Sequence, residues 1–73
     1  MRIRAGTTQE SAAHTPGTTE DIIVLAGTAR VGALSAPALI GPGMHGSWAA
    51  DVPHLYQAPS GDVEALLIVR YPQ

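Results

Sequence analysis

The sequence predicts an all-β fold, a small barrel or two-sheet sandwich, and three observations predict it. No stretch repeats apolar residues at helical spacing. Glycine and proline recur from Gly6 to Pro72, too often for a long helix to survive between them. The segments left between these breakers are short and apolar or alternating, the pattern of strands separated by turns.

Taken in order, strands are predicted near residues 2–5, 9–14, 20–26, 28–33, 36–40, 45–50, 53–58 and 63–71. Gly6 closes the first, and Pro16-Gly17 follow the second. The third, EDIIVLA, is the most apolar, and Gly27 behind it suits a tight hairpin into the fourth because glycine accepts positive φ. In TARV, Ala29 and Val31 alternate with Thr28 and Arg30, as in a half-buried strand. The fifth strand runs into Gly41-Pro42-Gly43, the strongest breaker in the chain. The sixth and seventh lie on either side of the break before Pro53, and Pro59-Ser60-Gly61-Asp62 turns the chain into the last. There Val63, Ala65, Leu67 and Val69 alternate with Glu64, Leu66, Ile68 and Arg70. That strand is apolar on both faces at its centre, so one face can fill a barrel and the other can meet a sheet or a second subunit. Eight strands are many for 73 residues, so edge strands are expected to be short or missing, and the barrel truncated.

All of residues 1–73 form one domain in this reading, with no repeat or linker. A core this small supplies only about 3–5 kcal/mol of net stability, and small domains usually add a disulfide, a metal or a partner. Cysteine is absent, which excludes disulfides and thiolate metal sites. A His/carboxylate metal, a second subunit or tight packing remain, and a homodimer is expected. The four basic residues are arginines that form no run, which argues against direct nucleic-acid contact. The start, MRIRAGTTQ, is not followed by an apolar secretory segment, and the runs IIVLA and ALLIV are far shorter than a membrane helix of ~20 residues. A cytoplasmic protein without membrane contact is the expectation.

Two stretches carry the chemistry. The first is His14-x-Pro16-x-x-x-Glu20, with Gly27 seven residues after Glu20. The second is Gly43, Trp48, Pro53-His54 and Tyr56. Together they resemble the two signature motifs of the cupin superfamily, small barrels of antiparallel strands in jelly-roll form. "HTPGTTEDIIVLAG", "ADVPHLYQA" and "ALLIVRYPQ" look most like the C-terminal cupin sensor domains of XRE-type helix-turn-helix regulators. The resemblance covers most of the chain. It departs at three places: Pro16 stands at the second motif histidine, Met44 at the aspartate after Gly43, and Ala58 where an asparagine often closes the second motif.

What the resemblance implies is a metal site of His14, Glu20 and His54, two imidazoles and one carboxylate, suited to Zn, Fe, Mn or Ni. Trp48 and Tyr56 become core or the wall of a small-molecule pocket. Without the resemblance, His14 is a polar loop residue, Glu20 a solvated strand entry beside Asp21, and His54 a histidine satisfied in the core. Neighbouring acids on a strand point to opposite faces, so only one of Glu20 and Asp21 faces inward, and the motif selects Glu20. His45 matches no motif position and is expected at the surface. The functional expectation is a small-molecule- or metal-sensing module like the effector domain of an XRE-type regulator, without its DNA-reading helices. A metal-dependent cupin oxygenase or isomerase is the alternative, and a purely structural dimerisation module is the third reading. Ser11, Ser35, Ser47 and Ser60 lack the context of an activated nucleophile.

Overall fold

The computed structural model describes residues 1–73, and its regular elements are all strands. They are β1 (Arg2–Ile3), β2 (Thr8–Ser11), β3 (Thr19–Ala26), β4 (Ala29–Ala33), β5 (Ala38–Ile40), β6 (His45–Ala49), β7 (His54–Gln57) and β8 (Val63–Arg70). No helix is long and apolar enough to cross a membrane. All eight predicted strands exist. The shortening falls on the outer ones: β1 has two residues and β5 three.

The strands form two antiparallel four-stranded sheets, ordered β1-β8-β3-β6 and β2-β7-β4-β5. This is a jelly-roll sandwich. One expectation fails here. Gly27 does not close a hairpin, because β3 and β4 belong to different sheets. It passes the chain across the end of the sandwich, with φ at +79°. A Cβ on Gly27 would stand 2.3 Å from the carbonyl oxygen of Asp62, so the position demands both the left-handed backbone and the missing side chain. A register shift between Val24 and Ala26 bends β3 just before it.

Each sheet contributes its inward side chains to one core: Ile3, Ile22, Val24, Val63 and Ala65 from the first, Ala29, Val31, Ile40 and Tyr56 from the second, with Ala58 just beyond β7. Small β-branched residues dominate because facing sheets leave a layer only about 10 Å thick. Gly46 sits where a Cβ would come within 2.9 Å of the Ile40 side chain, so its absence lets β5 close against β6. Trp48 is half-buried and packs against the edge of the core, since β6 is the outermost strand of its sheet.

On β8 the two-faced reading holds. Val63 and Ala65 are buried and Leu67 packs on the core, while Leu66 and Ile68 face outward and are exposed.

Candidate metal centre

The segment before β3 is shaped by Pro16 and Gly17. The amide of Thr18 donates to the carbonyl of Thr15 at 3.1 Å, and Gly17 takes φ of +90°. Proline second and a left-handed glycine third make a type II turn. This loop is tied to the end of β6: the amide of His14 donates to the carbonyl of Ala50, that of Ala50 to the carbonyl of Thr18, both at 2.9 Å, and that of Gly17 to the Asp51 carboxylate at 2.9 Å. His14 lies beyond Ser11, where β2 ends, so it stands on a loop and not on the strand expected over 9–14. Backbone ties rather than a strand hold it in place.

Glu20 is on β3, paired in register with Trp48 of β6 and Val69 of β8. It faces inward with only 1% of its surface exposed. Asp21 faces the outside of the same sheet, as strand alternation requires. His54 opens β7 directly after Pro53, between Ser11 of β2 and Ala33 of β4, and is 0% exposed. Glu20 and His54 therefore reach the centre from opposite sheets.

The three side chains converge. One Glu20 oxygen, Oε2, lies 3.0 Å from Nε2 of His14 and 3.2 Å from Nε2 of His54. The donor atoms of all three lie within 4.8 Å of one another. His14 is the accessible member, with 32% of its side chain exposed. The imidazole rings are tilted, their centroids 5.1 Å apart. Tyr56, two residues along β7 from His54 and so on the same face, donates its hydroxyl to the other Glu20 oxygen, Oε1. Burial, then the hydrogen bond and charge of Glu20, hold the Tyr56 phenol above its ordinary pKa of 10. It remains a donor throughout the neutral range.

The tautomer of His54 follows from its other nitrogen. Nδ1 lies 2.8 Å from the carbonyl of Val52, which only accepts, so Nδ1 carries the hydrogen. In the neutral imidazole Nε2 is then a bare lone pair. It is buried, makes no hydrogen bond, and faces a carboxylate oxygen 3.2 Å away. Two opposed lone pairs are relieved by an electron-poor centre between them, a proton or a metal ion. A backbone carbonyl orienting the distal nitrogen of an imidazole is also the usual support of a histidine ligand. The donor set and the orphaned Nε2 fit a first-row divalent cation, whose bonds to such donors are about 2.0–2.2 Å.

Trp48 borders this cluster through Tyr56, ring centroids 6.1 Å apart and edge to face, and Tyr56 meets His54 at 5.7 Å in the same manner. The indole N–H of Trp48 is buried without an acceptor. The sequence marks Tyr56 as core or pocket wall, and the structure adds its bond to Glu20. The signal was its placement two residues after His54. The larger surface concavity, about 420 Å³, is not at this cluster. It is bordered by Thr19, Asp21, His45, Ser47, Trp48 and Arg70, mostly on the outward face of the first sheet. There Ser47 donates to Asp21, Arg70 pairs with it at 2.8 Å, and the exposed His45 stands 3.6 Å away. The Ser47 hydrogen bond first, then Arg70 and His45, hold the Asp21 carboxyl below its ordinary 3.8 against the opposing effect of burial.

No protein-family signature matches the chain, and no curated protein does. Two solved structures do. One is the Cupin_2 domain of an XRE-family transcriptional regulator from Enterobacter cloacae, 25% identical with a TM-score of 0.87 over 99% of this chain and 77% of that one. The other is an HTH_3-family transcriptional regulator from Vibrio cholerae, 29% identical with a TM-score of 0.92 over 99% of this chain. This chain spans 40% of the length of that regulator. The jelly-roll of this chain is that of the cupin superfamily, in the form found in the cupin domains of XRE-type regulators.

Proposed function

We propose that this chain is a metal- or small-molecule-sensing cupin domain of the kind that forms the effector half of an XRE-type regulator, acting in the cytoplasm as a pair of copies. The observation that carries the reading is the buried Nε2 of His54, without a hydrogen bond, converging with Glu20 and His14 on one point. A polar atom left unpaired in a core costs stability unless something occupies the position beside it. His14, Glu20 and His54 would hold Zn, Fe(II), Mn or Ni, and the metal would supply a Lewis-acidic centre for an anionic or carbonyl ligand. Trp48 and Tyr56 would border that ligand, the indole N–H offering it a donor. Binding would act on DNA only through the rest of a regulator, by biasing how two copies are arranged.

A metal-dependent oxygenase or isomerase is the second reading. Two imidazoles and one carboxylate are the donor set of many non-haem iron centres, which is what favours it.

Thermal unfolding of the metal-stripped chain with each of the four metals tests the proposal. At a hundredfold excess over the dissociation constant, binding contributes about 2.7 kcal/mol, which in a domain this small raises Tm by roughly 10 °C or more. The shift is expected for at least one metal and is expected to vanish in His54→Gln. No shift with any of the four overturns the metal reading. Turnover of a substrate by the loaded chain would favour the enzyme over the sensor.

A further inference from the structure

We propose that Arg2, Arg4, Thr7 and Gln9 form a second binding site, for a small phosphorylated polyol. These four side chains border a concavity of about 300 Å³ at the open edge of the sandwich, where the chain passes from β1 in the first sheet to β2 in the second. That volume lies at the low end of small-molecule sites. No apolar side chain and no acid lines it, so it offers no wall to a base or an acyl chain. It is separate from the metal centre. Arg2 stands beside Glu64 at the start of β8, whereas Glu20 stands beside Val69 near its end.

Two of the four basic residues of a chain with a net charge of -2 meet here. Arg4 makes no ion pair. Arg2 meets Glu64 at 2.7 Å, but both side chains are exposed, and such a pair leaves guanidinium N–H groups for a second acceptor. The planar fork of a guanidinium matches two oxygens of a phosphate. The backbone beneath Arg4 is fixed. The amide of Thr7 donates to the carbonyl of Arg4 at 3.1 Å and Gly6 takes φ of +76°, a type II turn. Within it the amide of Ala5 donates to the Asp62 carboxylate and that of Gly6 to the carbonyl of Ala58, both at 2.8 Å. The turn is thus tied to both sheets. Thr7 points to the ligand class. Its hydroxyl donates to the carbonyl of Arg4 at 2.6 Å, so its hydrogen is committed and only lone pairs remain for a ligand. The Gln9 amide adds a further acceptor. The concavity therefore presents guanidinium donors to an oxyanion and acceptors to hydroxyl groups. A bare anion uses the first set alone, and a phosphorylated polyol uses both.

Amide chemical-shift titration of the metal-stripped full chain in phosphate-free buffer tests this, with glycerol phosphate and inorganic phosphate as probes. Glycerol phosphate is expected to bind with a Kd of about 1 mM or below, shifting amides over residues 2–9. Inorganic phosphate is expected to shift the same amides and to bind roughly threefold or more weakly, for want of hydroxyl groups. Arg4→Ala is expected to weaken both probes roughly tenfold or more. Arg4→Lys, which keeps the charge and loses the fork, is expected to weaken both as well. Thr7→Val is expected to bring glycerol phosphate down to the affinity of inorganic phosphate. Arg30→Ala, on the second sheet, is expected to change neither, and the unshifted amides of β3 and β8 report the fold in every variant. No shift over residues 2–9 with either probe overturns the site. So does an Arg30→Ala chain weakened as much as Arg4→Ala, which would show only general attraction of anions. Equal affinity for the two probes, or a Thr7→Val chain that still prefers glycerol phosphate, overturns the polyol class. His54→Gln is expected to leave the titration unchanged, so this site and the metal centre stand or fall separately.

Discussion

Tyr56 donates its hydroxyl to Glu20 Oε1, while His14 and His54 both meet Oε2. The carboxylate is thereby divided, one oxygen anchored to β7 and the other presented to His14 and His54. A buried carboxylate needs that division, because a free rotation of its plane would lose both sets of contacts.

Tyr56→Phe removes the anchor while keeping the ring. A buried hydrogen bond to a charged group contributes about 1.5–3 kcal/mol, so urea unfolding is expected to show a loss of about 2 kcal/mol with an unchanged m-value. Outer-shell partners of a ligand matter to affinity by roughly 10–100-fold. Metal titration of the variant by calorimetry is expected to show a weakening in that range, and an unchanged affinity would remove Tyr56 from the support of the site.

The two histidines are expected to respond differently to removal. His54 is enclosed and bonded to Val52, so His54→Ala leaves a cavity and an unpaired carbonyl, with a loss of about 2–4 kcal/mol in the metal-free chain. His14 stands on a loop and is partly open to water, so His14→Ala is expected to lose no more than about 1 kcal/mol. Both are expected to abolish the metal-dependent rise in Tm. Equal losses in the metal-free chain would contradict the difference in burial.

Gly27→Ala forces a side chain into the Asp62 carbonyl and holds alanine at positive φ. Left-handed strain alone costs about 1–3 kcal/mol, and the clash adds to it. A loss of more than about 2 kcal/mol in denaturant unfolding is expected. Gly61→Ala, where nothing lies near the added carbon, serves as the neutral comparison.

Acid stability has a contribution from Asp21. Its carboxyl is held below the 3.8 of an unfolded aspartate, so the unfolded chain takes up the proton first as pH falls. The stabilisation is complete above that value and is lost as pH drops through the lower folded value. The stability difference between wild type and Asp21→Asn is therefore expected to shrink on acidification below about pH 4. A difference that stays constant from neutral pH to below 3 would show that Ser47 and Arg70 do not stabilise the charged form.

Much of this was legible in the sequence, for identifiable reasons. Glycine and proline punctuation marks where strands stop, and alternation settles that Glu20 faces inward and Asp21 outward. The last strand shows its two apolar faces directly. Gly27 misled because a left-handed glycine between strands is the same local signal whether the chain folds back or crosses to the other sheet. Which occurs depends on nonlocal pairing: β3 takes β8 and β6 as neighbours, and neither is adjacent in the chain. The sequence puts His14 on a strand because the turn at Pro16-Gly17 begins after it, whereas the backbone leaves the sheet at Ser11. The cluster of Asp21, His45, Ser47 and Arg70 joins three strands and has no signature along any one of them.

Glu20 and His54 stand on opposite leaves of the sandwich, and no disulfide joins those leaves. An ion gripped by both would rivet them together, taking the place that a disulfide holds in secreted domains of this size. Loading would then be felt as rigidity: amide hydrogens on the inner strands would exchange more slowly even where no atom had moved.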